Sequence, residues 1–143
     1  MLRDFLMAVT RRTAAASHAG ADWAALLYLA HALLEFALGG IKLRGTYSGI
    51  PDMPPAGAKF ARHHGCALLA LALLGFLVWQ RKLVHTETGA VVSLVLAAFH
   101  SACVLVMVHA LNLKVVLIHA PFAVAFIIHT STLGQAARRT LSE

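Results

Sequence analysis

Charge is what this chain has least of. Asp, Glu, Lys and Arg make up 13% of its 143 residues, and only six residues are acidic. A water-soluble domain typically carries about 25% charged residues, so an ordinary soluble composition is excluded. Cysteine is nearly absent as well. Cys66 and Cys103 both fall in apolar stretches, and there is neither a CxxC nor a CxxCH. A disulfide framework and c-type haem attachment are therefore excluded, and the two thiols read as small apolar core residues. Measured along the spans, both lie near a depth of roughly 22 Å, where a thiol pair with no positive neighbour is inert. No P-loop, no GxSxG and no GxGxxG in a strand–helix setting occurs. Nucleotide and serine-hydrolase chemistry have no footing here.

What the chain has is apolar length, with 59% hydrophobic residues. Trp23 to Ile41 is apolar except for His31 and Glu35, and Gly65 to Trp79 is apolar throughout. Gly89 to Leu113 and Val115 to Ala137 hold no Asp, Glu, Lys or Arg. A bilayer core of about 30 Å needs roughly 20 helical residues. Three stretches are long enough, and His63, His64 and Gln80 extend the short one into the interface. The reading is an all-α integral membrane protein, a four-helix transmembrane bundle over 21–137. Spans are expected at about 23–42, 63–80, 89–111 and 115–136, with a polar tail at 138–143. No room remains for a second, water-soluble domain.

The formal net charge is +6, but the basic residues sit at span ends, where they anchor helices at headgroups. Nucleic acid is not an expected partner; the lipid bilayer and other membrane subunits are. With four spans both termini share one side. That side holds seven basic residues (Arg3, Arg11, Arg12, Arg81, Lys82, Arg138, Arg139) against five (Lys42, Arg44, Lys59, Arg62, Lys114). The positive-inside rule then puts the termini in the cytoplasm or its equivalent. A bacterial inner membrane and a mitochondrial or plastid membrane fit equally.

Over residues 1–20, Leu2, Phe5, Leu6 and Val9 recur at helical spacing beside Arg3, Arg11 and Arg12. This predicts an amphipathic helix on the membrane surface, or an import signal that is retained. Asp22 is placed to cap the first span, and Trp23 and Tyr28 to lie near an interface. The connection from Arg44 to Phe60, with Gly45, Gly49, Pro51, Pro54, Pro55 and Gly57, is expected to be irregular. The connection around Asn112 to Lys114 is so tight that spans three and four must be antiparallel neighbours. Ala98 and Ala102 offer a small-residue contact, and Pro121 should kink span four near His119.

Ionisable groups inside spans are costly and mark function by default. Counting inward from the terminal face at about 1.5 Å per residue, His31 lies near 12 Å, Glu35 near 18 Å, His100 near 16 Å and His119 near 22 Å. His31 and Glu35, four apart, share one helix face. If the helices meet, the four form a midplane cluster. It serves as a hydrogen-bonded core that fixes packing, as a zinc, iron or copper site, or as an acid–base pair for a lipophilic substrate. A bis-histidine haem would pair His31 with His100. His63, His64, His85 and His109 read as interfacial, with His63–His64 the one pair suited to a metal or a headgroup. His129, about 8 Å below the terminal face, precedes Thr130, Ser131 and Thr132, whose hydroxyls should bond back to their own helix.

The run Leu38-Gly39-Gly40-Ile41-Lys42-Leu43, then a Gly/Pro-rich loop and a small-residue span opening at Gly65, resembles the layout of DoxX-like small four-span membrane proteins. The resemblance covers about residues 25–110. It implies a four-span architecture and an accessory role, in some members beside quinone-linked redox complexes. The His31-x-x-x-Glu35 spacing is also similar to that of membrane sterol isomerases, over those two residues alone. The leading expectation is a non-catalytic accessory subunit of a larger membrane assembly, of redox or energy-converting type, with no cofactor of its own. The rival is a small membrane enzyme, or a metal or haem carrier, working through His31, Glu35, His100 and His119.

Overall fold

The structure, a computed structural model, describes residues 22–45 and 54–142, and of 136–142 the backbone alone. The surface helix expected over 1–20 lies outside the described residues, as does most of the first loop. Among the described residues there is no strand. Four helices follow one another among the described residues: α1 Trp23–Leu43, α2 Pro55–Gln80, α3 Glu87–His109 and α4 Leu113–Ser142. Each is long and apolar enough to cross a membrane.

The helix boundaries have local causes. The Asp22 side chain accepts a hydrogen bond from the Ala25 N–H at 3.1 Å, the cap expected of it. Past the end of α1, Gly45 takes φ +79°, the left-handed conformation that glycine adopts without a Cβ penalty. α2 begins at Pro55, well ahead of the expected span start at 63, so the Pro/Gly-rich segment is not irregular to its end. Pro54 holds an extended N-cap conformation and Pro55 opens the first turn, where a missing N–H costs no helical hydrogen bond. Thr86 caps α3 by accepting from the Gly89 N–H and donating to the Leu83 carbonyl. α4 continues through Pro121 as a single helix element.

The chain divides into two compact units, one of Tyr28–Arg81 and one containing the start of α1 together with Lys82 onward. In the first, the lower part of α1 meets α2 along a seam of small residues. Buried positions on α2 are Ala61, Gly65, Leu68, Ala72, Gly75 and Val78, spaced three and four apart. Gly65 sits so close to α1 that a Cβ there would lie 2.9 Å from the Gly39 carbonyl oxygen and 2.9 Å from the Leu43 nitrogen. Small residues at a helix crossing let backbones approach, which in lipid is a main source of packing energy.

In the second unit, α3 and α4 are antiparallel neighbours. Ser93 meets Phe126 and His129, while His100 meets His119. The turn between them is as tight as its three residues require. Leu111 adopts φ +54°, and the Asn112 side chain accepts from the Val115 N–H. Ala98 and Ala102, expected at a helix contact, are exposed instead; the buried face of α3 is Gly89, Val92, Ser93, Leu96, Ala97 and His100. Large apolar side chains such as Phe36, Phe60, Leu105 and Leu117 point outward, the distribution that lipid favours and water penalises.

Candidate functional site

The buried face of α1 carries Ala24, Tyr28, His31, Ala32 and Glu35, recurring at helical spacing. His31 and Glu35 are both 0% exposed. The His31 ring has room because α2 offers it a glycine: a Cβ on Gly75 would lie 3.0 Å from Nδ1. Nε2 of His31 stands 3.9 Å from Oε1 of Glu35. That is within ion-pair range and beyond hydrogen-bond reach. Neither carboxylate oxygen of Glu35 has a hydrogen-bond partner among the described residues. The large majority of buried side-chain polar atoms in proteins are hydrogen-bonded, so Glu35 is an exception with a large energetic cost.

His100 and His119 form a second pair, at 0% and 8% exposure. Their Nδ1 atoms are 2.7 Å apart. One nitrogen must donate and the other accept, so the two rings share a proton. Two imidazoles on one zinc ion, each at about 2.0–2.1 Å, would need an N–Zn–N angle near 80–85° to come this close, far below tetrahedral. The Nδ1–Nδ1 contact is therefore a hydrogen bond, not the edge of a shared zinc site. Phe99, Phe122 and Phe126 surround it, with the Phe122 and Phe126 rings stacked on His100 at centroid distances of 5.2 and 6.1 Å.

All four midplane candidates are thus buried, and the structure joins them as His31 with Glu35 and His100 with His119. His31 and Glu35 supply donor types that a metal accepts, one nitrogen and one carboxylate. The interfacial readings divide. His63 and His109 are exposed and His64 is half-buried. His85, from the connection between α2 and α3, pairs with Asp22, Nε2 to Oδ2 at 2.9 Å. Thr130 and Ser131 donate to the carbonyls of Phe126 and Ile127, and Thr132 to that of His129, the back-bonding the sequence predicts. Cys66 is exposed and Cys103 half-buried.

Sequence reasoning missed two contacts, the His85–Asp22 pair and one deeper in the second unit. Ser93 donates to the Phe126 carbonyl at 3.1 Å and meets His129 Nδ1 at 3.0 Å, deep between α3 and α4. The signal was available: a serine and a histidine on facing helices, at similar depth below the terminal face.

Partial burial pushes the Asp22 carboxyl up. The His85 hydrogen bond, the Ala25 N–H and the charge of His85 outweigh this and hold it below its ordinary value of 3.8. A depressed carboxylate adds stability that is complete above 3.8 and is lost as pH falls through the lower folded value. Amide exchange at Ala25 is accordingly expected to accelerate below about pH 4 in the wild type and to be pH-insensitive there, after correction for intrinsic exchange, in Asp22→Asn.

No protein-family model matches the chain, and no curated protein and no solved structure matches it either.

Proposed function

We propose that the chain is a multi-pass membrane protein that transfers protons to and from a lipophilic molecule held against His31 and Glu35. The observation that carries this reading is the Glu35 carboxyl, fully buried and without a hydrogen-bond donor among the described residues. A polar group retained only to fix packing is normally satisfied by its neighbours; one held for chemistry is satisfied by what it acts on. As carboxylate, Glu35 takes a proton from the molecule, and the adjacent His31 imidazolium returns one at a second position. The Glu35 proton then passes to His31, which restores both groups. A metal or haem at the same donors is the cofactor form of this reading.

The test is purification in mild detergent from deuterated buffer, followed by mass spectrometry of the lipophiles that come with the protein. Deuterium at carbon-bound positions of one lipophile, at a particle mass near that of the chain, is the expected result. Stoichiometric metal or a Soret band would replace the lipophile by a cofactor.

A second reading is an accessory, non-catalytic subunit of a larger membrane assembly of redox or energy-converting type. The outward-facing Phe36, Phe60, Leu105 and Leu117 support it, since they suit a neighbouring subunit's helix as well as lipid. So does the layout that resembles DoxX-like proteins. Co-purification with a much larger complex, with no deuterium transfer, would establish it over the first.

A further inference from the structure

Three residues of the second unit meet around one ring, and a fourth holds one of them. His129 on α4 is 1% exposed. Trp23 at the start of α1 packs edge-on against it at 5.8 Å, His85 lies at 6.2 Å between ring centroids, and Ser93 on α3 meets Nδ1 at 3.0 Å. Asp22 holds His85 from the other side, and their side chains are 36% and 40% exposed. The cluster therefore runs from a wet end to a dry one.

The hydrogen bonds fix how His129 is protonated. A serine hydroxyl has one proton, and the Phe126 carbonyl can only accept it. With Ser93 donating to Phe126, the Ser93 oxygen must accept from His129, so Nδ1 carries hydrogen. In the neutral ring Nε2 is then the basic nitrogen. The Ser93 contact is the same whether the ring is neutral or imidazolium, because Nδ1 donates in both. His129 can change charge without breaking the bond that orients it.

We infer that Asp22, His85 and His129 form a proton-loading chain from the aqueous face into the α3–α4 seam, with His129 as the loaded site. Water protonates His85, whose imidazolium the Asp22 carboxylate stabilises. His85 gives that proton to Nε2 of His129 and returns to the neutral form, so one proton moves from solvent to His129. Unloading is the reverse. Among the described residues the titratable groups acting on His129 are His85 and Asp22, with Ser93 as the hydrogen-bonding hydroxyl and Trp23 packed edge-on against the ring. This inference rests on the proposal that the protein handles protons, and supplies a route by which they enter.

The experiment is nitrogen NMR of ring-labelled histidine in the full chain in nanodiscs, reading His129 across pH. In the wild type, His129 gains a proton within the titration range and exchanges rapidly with solvent. His85→Gln is expected to slow exchange at His129 on the order of 100-fold, the scale of a lost positioned proton carrier. Asp22→Asn is expected to slow it less, because His85 remains. Backbone amide spectra of α3 and α4 verify that each variant is folded. Unchanged exchange in His85→Gln, or a His129 that stays neutral throughout, overturns the inference. Glu35→Gln should leave His129 exchange at the wild-type rate, so failure of the lipophile chemistry and failure of the loading chain are read from different variants.

Discussion

In Glu35→Gln, deuterium transfer into the bound lipophile is expected to fall on the order of 10²–10⁴-fold, while the protein still inserts and folds. Glutamine has the shape of a protonated glutamate and similar hydrogen-bonding capacity, but it has no transferable proton. The loss therefore belongs to chemistry. Glu35→Leu makes the complementary point. Glu35 is 0% exposed and its oxygens lack donors among the described residues, so an apolar side chain of similar volume removes a desolvation cost. Glu35→Leu should unfold at a higher temperature in detergent and be inactive. If Glu35 served packing alone, Gln would change stability only modestly, Leu would lower it, and neither would touch deuterium transfer.

Gly65→Val is expected to be the most damaging packing change. The first atom of any side chain there would meet the Gly39 carbonyl and the Leu43 nitrogen, both at 2.9 Å and both backbone. Backbone cannot rotate out of the way, so α1 and α2 must separate along their seam. Overpacking of this kind costs about 1–3 kcal/mol, and losing the seam adds to it. Gly40→Ala is the control. A Cβ at Gly40 meets nothing within 4 Å, and removing a helix-interior glycine should stabilise by roughly 0.5–1 kcal/mol. Thermal unfolding of the two variants in one detergent is expected to shift in opposite directions.

How far the sequence reached depended on the range of the physics involved. Four long stretches nearly free of charge are a composition signal, and the four helices follow from it. The Asp22 cap and the back-bonding of Thr130, Ser131 and Thr132 are local, involving partners three or four residues away, and were legible for that reason. The start of α2 at Pro55 was not, because proline breaks a helix interior and opens a first turn, and composition alone does not say which. Ala98 and Ala102 misled for a different reason. Small residues permit close approach without requiring it, and the close contact formed at Gly39 and Gly65. Depth counting placed His31, Glu35, His100 and His119 at comparable levels, but depth has no rotational component. It could not show that His100 would turn to His119 at 2.7 Å, or that Ser93 would reach His129.

The unequal lengths of α3 and α4 have a consequence for the membrane itself. α4 has 30 residues and α3 has 23, and a three-residue turn holds them level at one end. The surplus, roughly 10 Å of helix, must emerge at the opposite face. In a bilayer matched to the 23-residue apolar segments of both helices, the surplus at the end of α4 would lie beyond the hydrocarbon. In a thin bilayer the same pair must tilt or compress the lipid around it, at a cost of a fraction of a kcal/mol per Å of mismatch. Because the two helices offer apolar segments of equal length, 23 residues each, a single hydrophobic thickness would suit both, and the turn between them would keep those segments in register.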